Sequence, residues 1–566
     1  MADTISGSLI IHEYRKFRGI DFSQRKDEVN LYRSPDALNM WKNYKSSNGN
    51  CVETRPDIEL LKNYSDTIFG LFFYSYNGTT HKIVHSGTKL YDEDNVIYSS
   101  MAEHKSNFFI YNKNLYIKDS NKYLIYDGSN VKEVEGFIPT TTIGKSPGGN
   151  GTVYQDVNLL TGIRKNSFVS DGTSVEYILD TETFDSDYPV KVWVNDVELT
   201  EGFTAEPNTG KIIFNTAPSE PNTEGQDNVI IQFRKTIQGY RDRIDKCTLL
   251  EIFDNRIFFS GNPNYPNVLW HSSLDDPSYC SDLDYYQEGT DDSKIMSIVA
   301  GNNALWVFKE PSQSNTTVFY HNPTIDDDYG KVYPSTHSSI STGCIGTGIN
   351  FHDDIVFFSD RGMEGISGDV TTEQVLAHRS SLIDRRLLNE TNYKNMILEE
   401  WEGYLLVFID NKVYLADSRT ISSDFTEYEW YYWELNKNIT GTFVKDGVLY
   451  LCSDKDIYTL TKTDKDRELD SYWTTLEDEF KYPQYAKTTN KKGCVTDCEG
   501  ERITISVKTD NNKFEKVDRY KIKKGYVVSR IKKKKWKSIQ LKFSSDKPFY
   551  LYSSTLEAYI GSYIKR

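Results

Sequence analysis

No stretch of this chain comes near the roughly 18 continuous apolar residues that a membrane-crossing helix needs, and mean hydropathy is −0.59. A spanning helix is therefore not expected. The opening residues, Met1 to Gly7, hold no basic region followed by an apolar stretch. No secretory signal is read there, and maturation in the cytosol is expected. Cysteine is scarce: seven in 566 residues, an odd number, widely scattered. Reduced thiols fit that usage better than a disulfide framework. Helical periodicity is almost missing as well. It shows only over Ser380–Leu388, for about two turns.

What is present is aromatic and charged. Hydrophobic residues make up 38% of the chain, yet 40 Tyr and 28 Phe lift the aromatic share to 14%. Tyr suits half-buried faces, because its ring packs while its hydroxyl stays wet. The length predicts about three or four units rather than one. Net charge is −16, and it is unevenly placed. Residues 481–566 carry 22 Lys/Arg against 8 Asp/Glu, a balance of +14, which leaves −30 on the first 480 residues. An acidic body repels nucleic acid, and a basic terminal region seeks an acidic surface.

The pattern along the chain is strand after strand. Short runs such as Phe108–Tyr111, Asn114–Ile117 and Lys122–Tyr126 combine β-branched and aromatic residues. Turn pairs separate such runs: Asn77-Gly78, Asp127-Gly128, Asp171-Gly172, Asp446-Gly447. A unit of apolar strand, charged two-residue turn and apolar strand recurs, as in EIFDNRIFFSG, INFHDDIVFFSD, EEWEGYLLVFID and TFVKDGVLYLCSD. Repetition of small antiparallel sheets predicts an all-β fold with a six- or seven-bladed β-propeller. The alternative is a series of unrelated hairpins in sandwiches.

Two segments break the rhythm. GKSPGGNG at residues 144–151 reads as a linker, and the clean period-two strands after it predict a small inserted β-sandwich. After Trp473 the strands read as a C-terminal β-sandwich. The expected organisation is an N-terminal segment over 1–66, first blades over 67–145, the insert over 146–240, further blades over 241–465, and the basic terminal domain over 466–566.

Legible chemistry is sparse. Cys494 and Cys498 lie four apart, but no His follows His378 and no second Cys pair follows. Zinc needs four soft or imidazole ligands, so a surface turn is the better reading. Asp326-Asp327-Asp328 lacks the alternating ligand spacing of a calcium loop and reads as a solvated loop, as do Asp275-Asp276 and Asp291-Asp292. Propellers can be glycosidases with paired carboxylates. The repeated Ser-x-Asp-x-Gly-x-x-Trp turn of sialidase-like propellers appears only in fragments, at Ser170-Asp171-Gly172 and Ser359–Gly362. No nucleophile elbow or phosphate loop is found. The chain is therefore expected not to be an enzyme, and no cofactor or metal is expected. The sharpest charge feature is Arg530, Ile531, Lys532, Lys533, Lys534, Lys535, Trp536 and Lys537. Its basic side chains form either a contact for an acidic partner, ranked above DNA, or the Lys guard of a strand edge.

One resemblance adds to this reading. FRGIDFS (Phe17, Gly19, Ile20, Asp21), SPDALNM (Ser34, Pro35, Ala37, Asn39, Met40) and Arg55-Pro56 resemble the opening of tail nozzle and tail stabilisation proteins of short-tailed bacteriophages. Asp57 departs from the Gly expected there. A second match spans Asn255, Arg256, Gly261, Asn262, Pro263, Trp270, Ser273, Asp276 and Pro277, followed by Leu305, Val307, Phe308 and Lys309. The insert resembles a small β-module common in phage structural proteins. The resemblance implies a structural virion protein, assembled in the bacterial host cytoplasm. It implies a homo-oligomeric ring, commonly a hexamer, below the portal and adaptor, enclosing the channel for genome exit. DNA would pass without specific binding, since each phosphate contact would add affinity and stall passage. Six copies would carry about −100, balanced by counterions and complementary contacts. The rival expectation is a receptor- or glycan-binding propeller of the tail, with hydrolase activity and an aromatic-lined sugar pocket.

Overall fold

The computed structural model describes residues 6–46, 48–49, 51–313, 316–326, 330–367, 375–419, 427–461, 468–510 and 512–564. The chain is an all-β propeller protein, and it divides into two compact units, residues 72–341 and residues 1–71 with 342–566.

The first of these contains four four-stranded antiparallel sheets, a two-stranded ribbon of Thr324–Asp326 and Gly330–Val332, and the insert. Sheet one runs Ile68–Tyr76, Thr79–Ser86, Lys89–Asp92 and Asn95–Tyr98, the division falling inside its first strand. Sheet two is Asn107–Tyr111, Asn114–Lys118, Tyr123–Tyr126 and Val131–Glu133. Sheet three is Leu249–Phe253, Arg256–Ser260, Val268–His271 and Tyr285–Gln287. Sheet four is Ile295–Gly301, Ala304–Lys309, Val318–His321 and Ser335–His337.

The other unit contains three more. Sheet five is Gly348–Phe351, Asp354–Ser359, Gly362–Ser367 and Val375–His378. The sixth group, Ile397–Trp401, Tyr404–Ile409, Lys412–Asp417 and Glu429–Glu434, is continuous through Met40–Trp41 with the C-terminal strands in a fourteen-stranded sheet. Sheet seven joins Gly441–Lys445, Val448–Ser453 and Asp456–Thr461 to Asp57–Asn63 from the start of the chain. Small sheets of four antiparallel strands, repeated along the chain, are the blade pattern of a propeller.

The sequence chemistry explains the hairpins. Asp254-Asn255, Asn302-Asn303 and His352-Asp353 hold positive φ at both positions. That is the two-residue turn whose twist matches the flanking strands, and short polar side chains tolerate it best. The second strands Ala304–Lys309, Asp354–Ser359 and Tyr404–Ile409 are buried at every residue. They read as continuous apolar runs because both faces are covered.

The insert is two packed sheets. One is six-stranded, in the order Thr152–Val153, Thr140–Lys145, Ile163–Phe168, Val229–Arg234, Lys191–Val194 and Val197–Leu199. The other is Glu176–Ile178, Lys211–Phe214 and Phe203–Glu206. Phe168, Tyr177, Val192, Ile212 and Phe233 fill the space between. The reading of 144–151 as a linker is corrected. Thr140–Lys145 is already a strand of the insert, and Ser146 and Gly149 close its turn. The glycines permit a tight reversal rather than a tether.

The C-terminal region is built on Tyr485–Thr509, a 25-residue strand. Its first part pairs with Phe549–Tyr563, and its last part with Ile539–Ser545. Register shifts flank Gly500, where an added Cβ would meet the Phe549 side chain at 2.7 Å. Such irregularities let one strand serve two faces of a sandwich. Leu9–Tyr14 adds to the edge of Phe549–Tyr563. Two further expectations are corrected. The Ser380–Leu388 helix is one turn, Asp384–Leu387, since Ser380 instead bonds the Asp384 carboxylate and the amide of Met363. Cys494 and Cys498 lie in the long strand, not a surface turn. Both are fully buried, opposite Leu556 and Leu551, and burial pushes the Cys498 thiol up to about 12. All seven cysteines are buried and free.

Candidate partner-binding surface and an aromatic cavity

The basic run is only partly a strand. Lys534–Trp536 pairs with the long strand, Trp536 opposite Lys487 and Lys534 opposite Thr488, with a register shift between them. Lys535 has φ 56°, a left-handed conformation that interrupts regular pairing. The expected strand over Lys532–Lys537 is corrected to this short bulged segment. Two apolar residues pin it, Ile531 and Trp536, each 1% exposed. The buried Lys487 ties down its end. Its amine donates to the carbonyls of Tyr482, Tyr485 and Lys537 and sits 5.6 Å from the Trp536 ring centroid. Burial lowers the Lys487 amine to about 8.

With the apolar residues turned in, the cations are turned out. Arg530, Lys532, Lys534, Lys535 and Lys537 are exposed, and among the described residues none forms an ion pair. Lys533 differs: it is half-buried and its amine lies 2.6 Å from Glu515. Glu515 opens the edge strand Glu515–Ser529, which hydrogen-bonds on one side to the long strand. That strand exposes Lys516, Arg519, Lys521, Lys523 and Lys524, and among the described residues only Lys521 of these forms an ion pair, with Glu501 at 2.8 Å. The structure thus adds a second basic row to the run named from sequence. A 15-residue open edge lined with Lys resists pairing with another strand, while its field favours an acidic surface.

The same unit holds a cavity of about 420 Å³ lined by Phe22, Lys26, Asp36, Arg385, Arg386 and Lys412. Arg386 sits 3.9 Å from the Tyr432 ring centroid and 4.9 Å from that of Phe22, and Lys412 bonds Glu390 at 2.6 Å. Lys26 and Arg385 are exposed cations at its mouth.

A different chemistry stands at the outer strands of sheet three. Val268 pairs with Gln287 and Trp270 with Tyr285. Directly opposed residues share a face, so these four side chains stand together. They line a cavity of about 120 Å³ with Tyr265 and Arg243. Tyr265 comes from the loop before the third strand and meets Trp270 edge to face at 5.5 Å. Arg243 comes from the single-turn helix Tyr240–Asp245, its guanidinium 4.4 Å from Tyr240 and 5.9 Å from Tyr265. Of these residues the sequence reading singled out only Trp270. Tyr285 and Gln287 stand in a polar stretch with no strand signature of their own.

No family model and no curated protein matches the chain. Solved structures similar to it include BamB from Moraxella catarrhalis, at 11% identity and TM-score 0.32, covering 74% of this chain and 99% of that one. An exo-β-1,3-galactanase from Phanerochaete chrysosporium stands at 8% identity and TM-score 0.20, covering 55% and 94%. A family 43 arabinoxylan arabinofuranohydrolase from Bacillus subtilis stands at 8% and 0.22, covering 96% and 99%. These likenesses are too distant to bring an activity with them. They do correct one expectation: glycoside hydrolases are among the matched structures, so the reading that the chain is not an enzyme is withdrawn.

The described residues contain no group of three or more His, Cys, Asp or Glu placed to hold a metal. Asp327 and Asp328 lie outside the described residues. Among the described residues no helix is long and apolar enough to cross a membrane. One carboxyl is notable: Glu251, half-buried on the first strand of sheet three, is pushed up to about 7 by burial.

Proposed function

We propose that the chain is a tail subunit of a short-tailed bacteriophage, one copy of a ring around the DNA exit channel. In this reading the basic C-terminal edge docks against an acidic face of a neighbouring copy or adjoining tail protein. The observation that carries the docking is the arrangement of 530–537, where two apolar residues are buried and five cations are exposed and form no ion pair among the described residues. The resemblance in Phe17–Asp21 and Ser34–Met40 supplies the setting. The balance of −30 on the first 480 residues against +14 after them makes the edge complementary to the body of another copy. Labelling the chain in intact virions and imaging them tests this. Density in a closed ring on the tail axis supports the proposal, and density at peripheral fibres overturns it.

A second reading is favoured by the aromatic cavity of sheet three, and Glu251, raised to about 7 by burial, is the carboxyl on that sheet to test for proton transfer. In it the chain is a receptor- or glycan-binding propeller with hydrolase activity. Turnover of a host surface polysaccharide that is lost in Glu251→Gln supports it. Absence of turnover by the intact chain removes the hydrolase part.

A further inference from the structure

We infer that the outer strands of sheet three carry a sugar-binding site, formed by Tyr285, Tyr265, Trp270, Arg243 and Gln287. The inference deepens the second reading above and rests on its glycan class, but it assigns binding, not hydrolysis, to this cavity.

The argument starts from the ligand chemistry a pocket of this lining can satisfy. A pyranose ring has an apolar C–H face and a rim of hydroxyls that both donate and accept hydrogen bonds. The cavity offers both kinds of surface. Tyr265 and Tyr285 are 39% and 41% exposed, while Val268 and Trp270 beneath them are buried. The floor is therefore dry and fixed, and the Tyr walls remain available for stacking. Arg243 supplies donors only, held by its contacts with Tyr240 and Tyr265. Gln287 is exposed at the rim and supplies one acceptor and two donors. An apolar peptide would use the floor and leave Arg243 and Gln287 without partners. An anion would use Arg243 and waste the rings. A sugar uses all of them.

The site is also preorganised. Trp270 and Tyr285 are a cross-strand pair, as are Val268 and Gln287, so the sheet register fixes four of the six side chains. A volume of about 120 Å³ suits one sugar ring, not a chain of them. Recognition would then be of a terminal or side-branch residue of a surface polysaccharide.

The test is saturation-transfer NMR on the full chain with the methyl glycosides of glucose, galactose, mannose and N-acetylglucosamine. The expected result is saturation of ring C–H protons of at least one glycoside. Tyr285→Ala should weaken that binding about tenfold, the scale of one lost aromatic contact, while Tyr285→Phe keeps it. Tyr285 is exposed, so both variants keep the fold, and unchanged far-ultraviolet dichroism verifies that. Binding that Tyr285→Ala leaves unchanged places the sugar elsewhere, overturning this site but not the glycan reading. No transfer to any of the four glycosides, with no retention of the chain on host polysaccharide, overturns both.

Discussion

The second strands of the blades and the C-terminal edge strand are both β-structure, yet they obey different rules. Tyr404–Ile409 is buried at all six residues, while Glu515–Ser529 buries only its last. The first is held by packing on two faces, and its sequence is nearly continuous apolar. The second is held on one side by backbone pairing with Tyr485–Thr509, and its sequence is Lys-rich. The contrast separates stability from association. Substitutions in the blades should unfold the chain, and substitutions at the edge should change what it meets.

The largest expected effect is therefore in a blade. Leu406→Ala, at a position with no exposed surface, should cost about 2–5 kcal/mol in urea unfolding. A cost under about 1 kcal/mol would mean that the blade is not packed on both faces.

A smaller effect is expected from pH. His378 lies 2.6 Å from Asp384 and 3.2 Å from Glu364, and these partners raise its imidazole to about 9. A group raised on folding binds its proton more tightly in the folded state. Its contribution is full below the ordinary value of about 6.5 and is lost as pH rises through 9. The thermal midpoint should fall between those values, and His378→Gln should flatten that fall. An unchanged slope in the variant would assign the fall to other groups.

Smaller still in stability, but large in association, is the double variant Lys532→Glu with Lys534→Glu. Its unfolding midpoint should match the parent, because both side chains are exposed and unpaired. The smallest effect on stability and association taken together is expected of Lys533→Ala. It removes the pair with Glu515, whose carboxylate is 62% exposed, and should cost about 0–1 kcal/mol. A larger loss would make the run a structural clasp rather than a guarded edge.

The blades were legible because their turns announce themselves. Asp254-Asn255 and His352-Asp353 sit between apolar runs, and such pairs have few other uses. The insert was legible from its alternation, but its first strand was not, since Gly148 and Gly149 resemble a tether as readily as a turn. The seventh sheet could not be read locally, because its fourth strand, Asp57–Asn63, comes from nearly 400 residues earlier in the chain than its third, Asp456–Thr461. The basic run was found by composition alone. The second basic row is not legible in the sequence, because its cations alternate with Val517, Tyr520 and Ile522, which read as a strand before they read as a surface. The aromatic cavity drew residues from a helix, a loop and two strands, and no single motif spans them.

The most direct test of the account is sedimentation velocity of the full chain and of the Lys532→Glu, Lys534→Glu variant, in about 50 mM and about 500 mM salt, concentrations that move the Debye length from well above to well below 10 Å. The account predicts oligomers of the parent at low salt that dissociate at high salt, and a folded variant that stays monomeric at both. Assembly of the variant equal to that of the parent at every ionic strength would contradict it and leave the lysines as edge protection only.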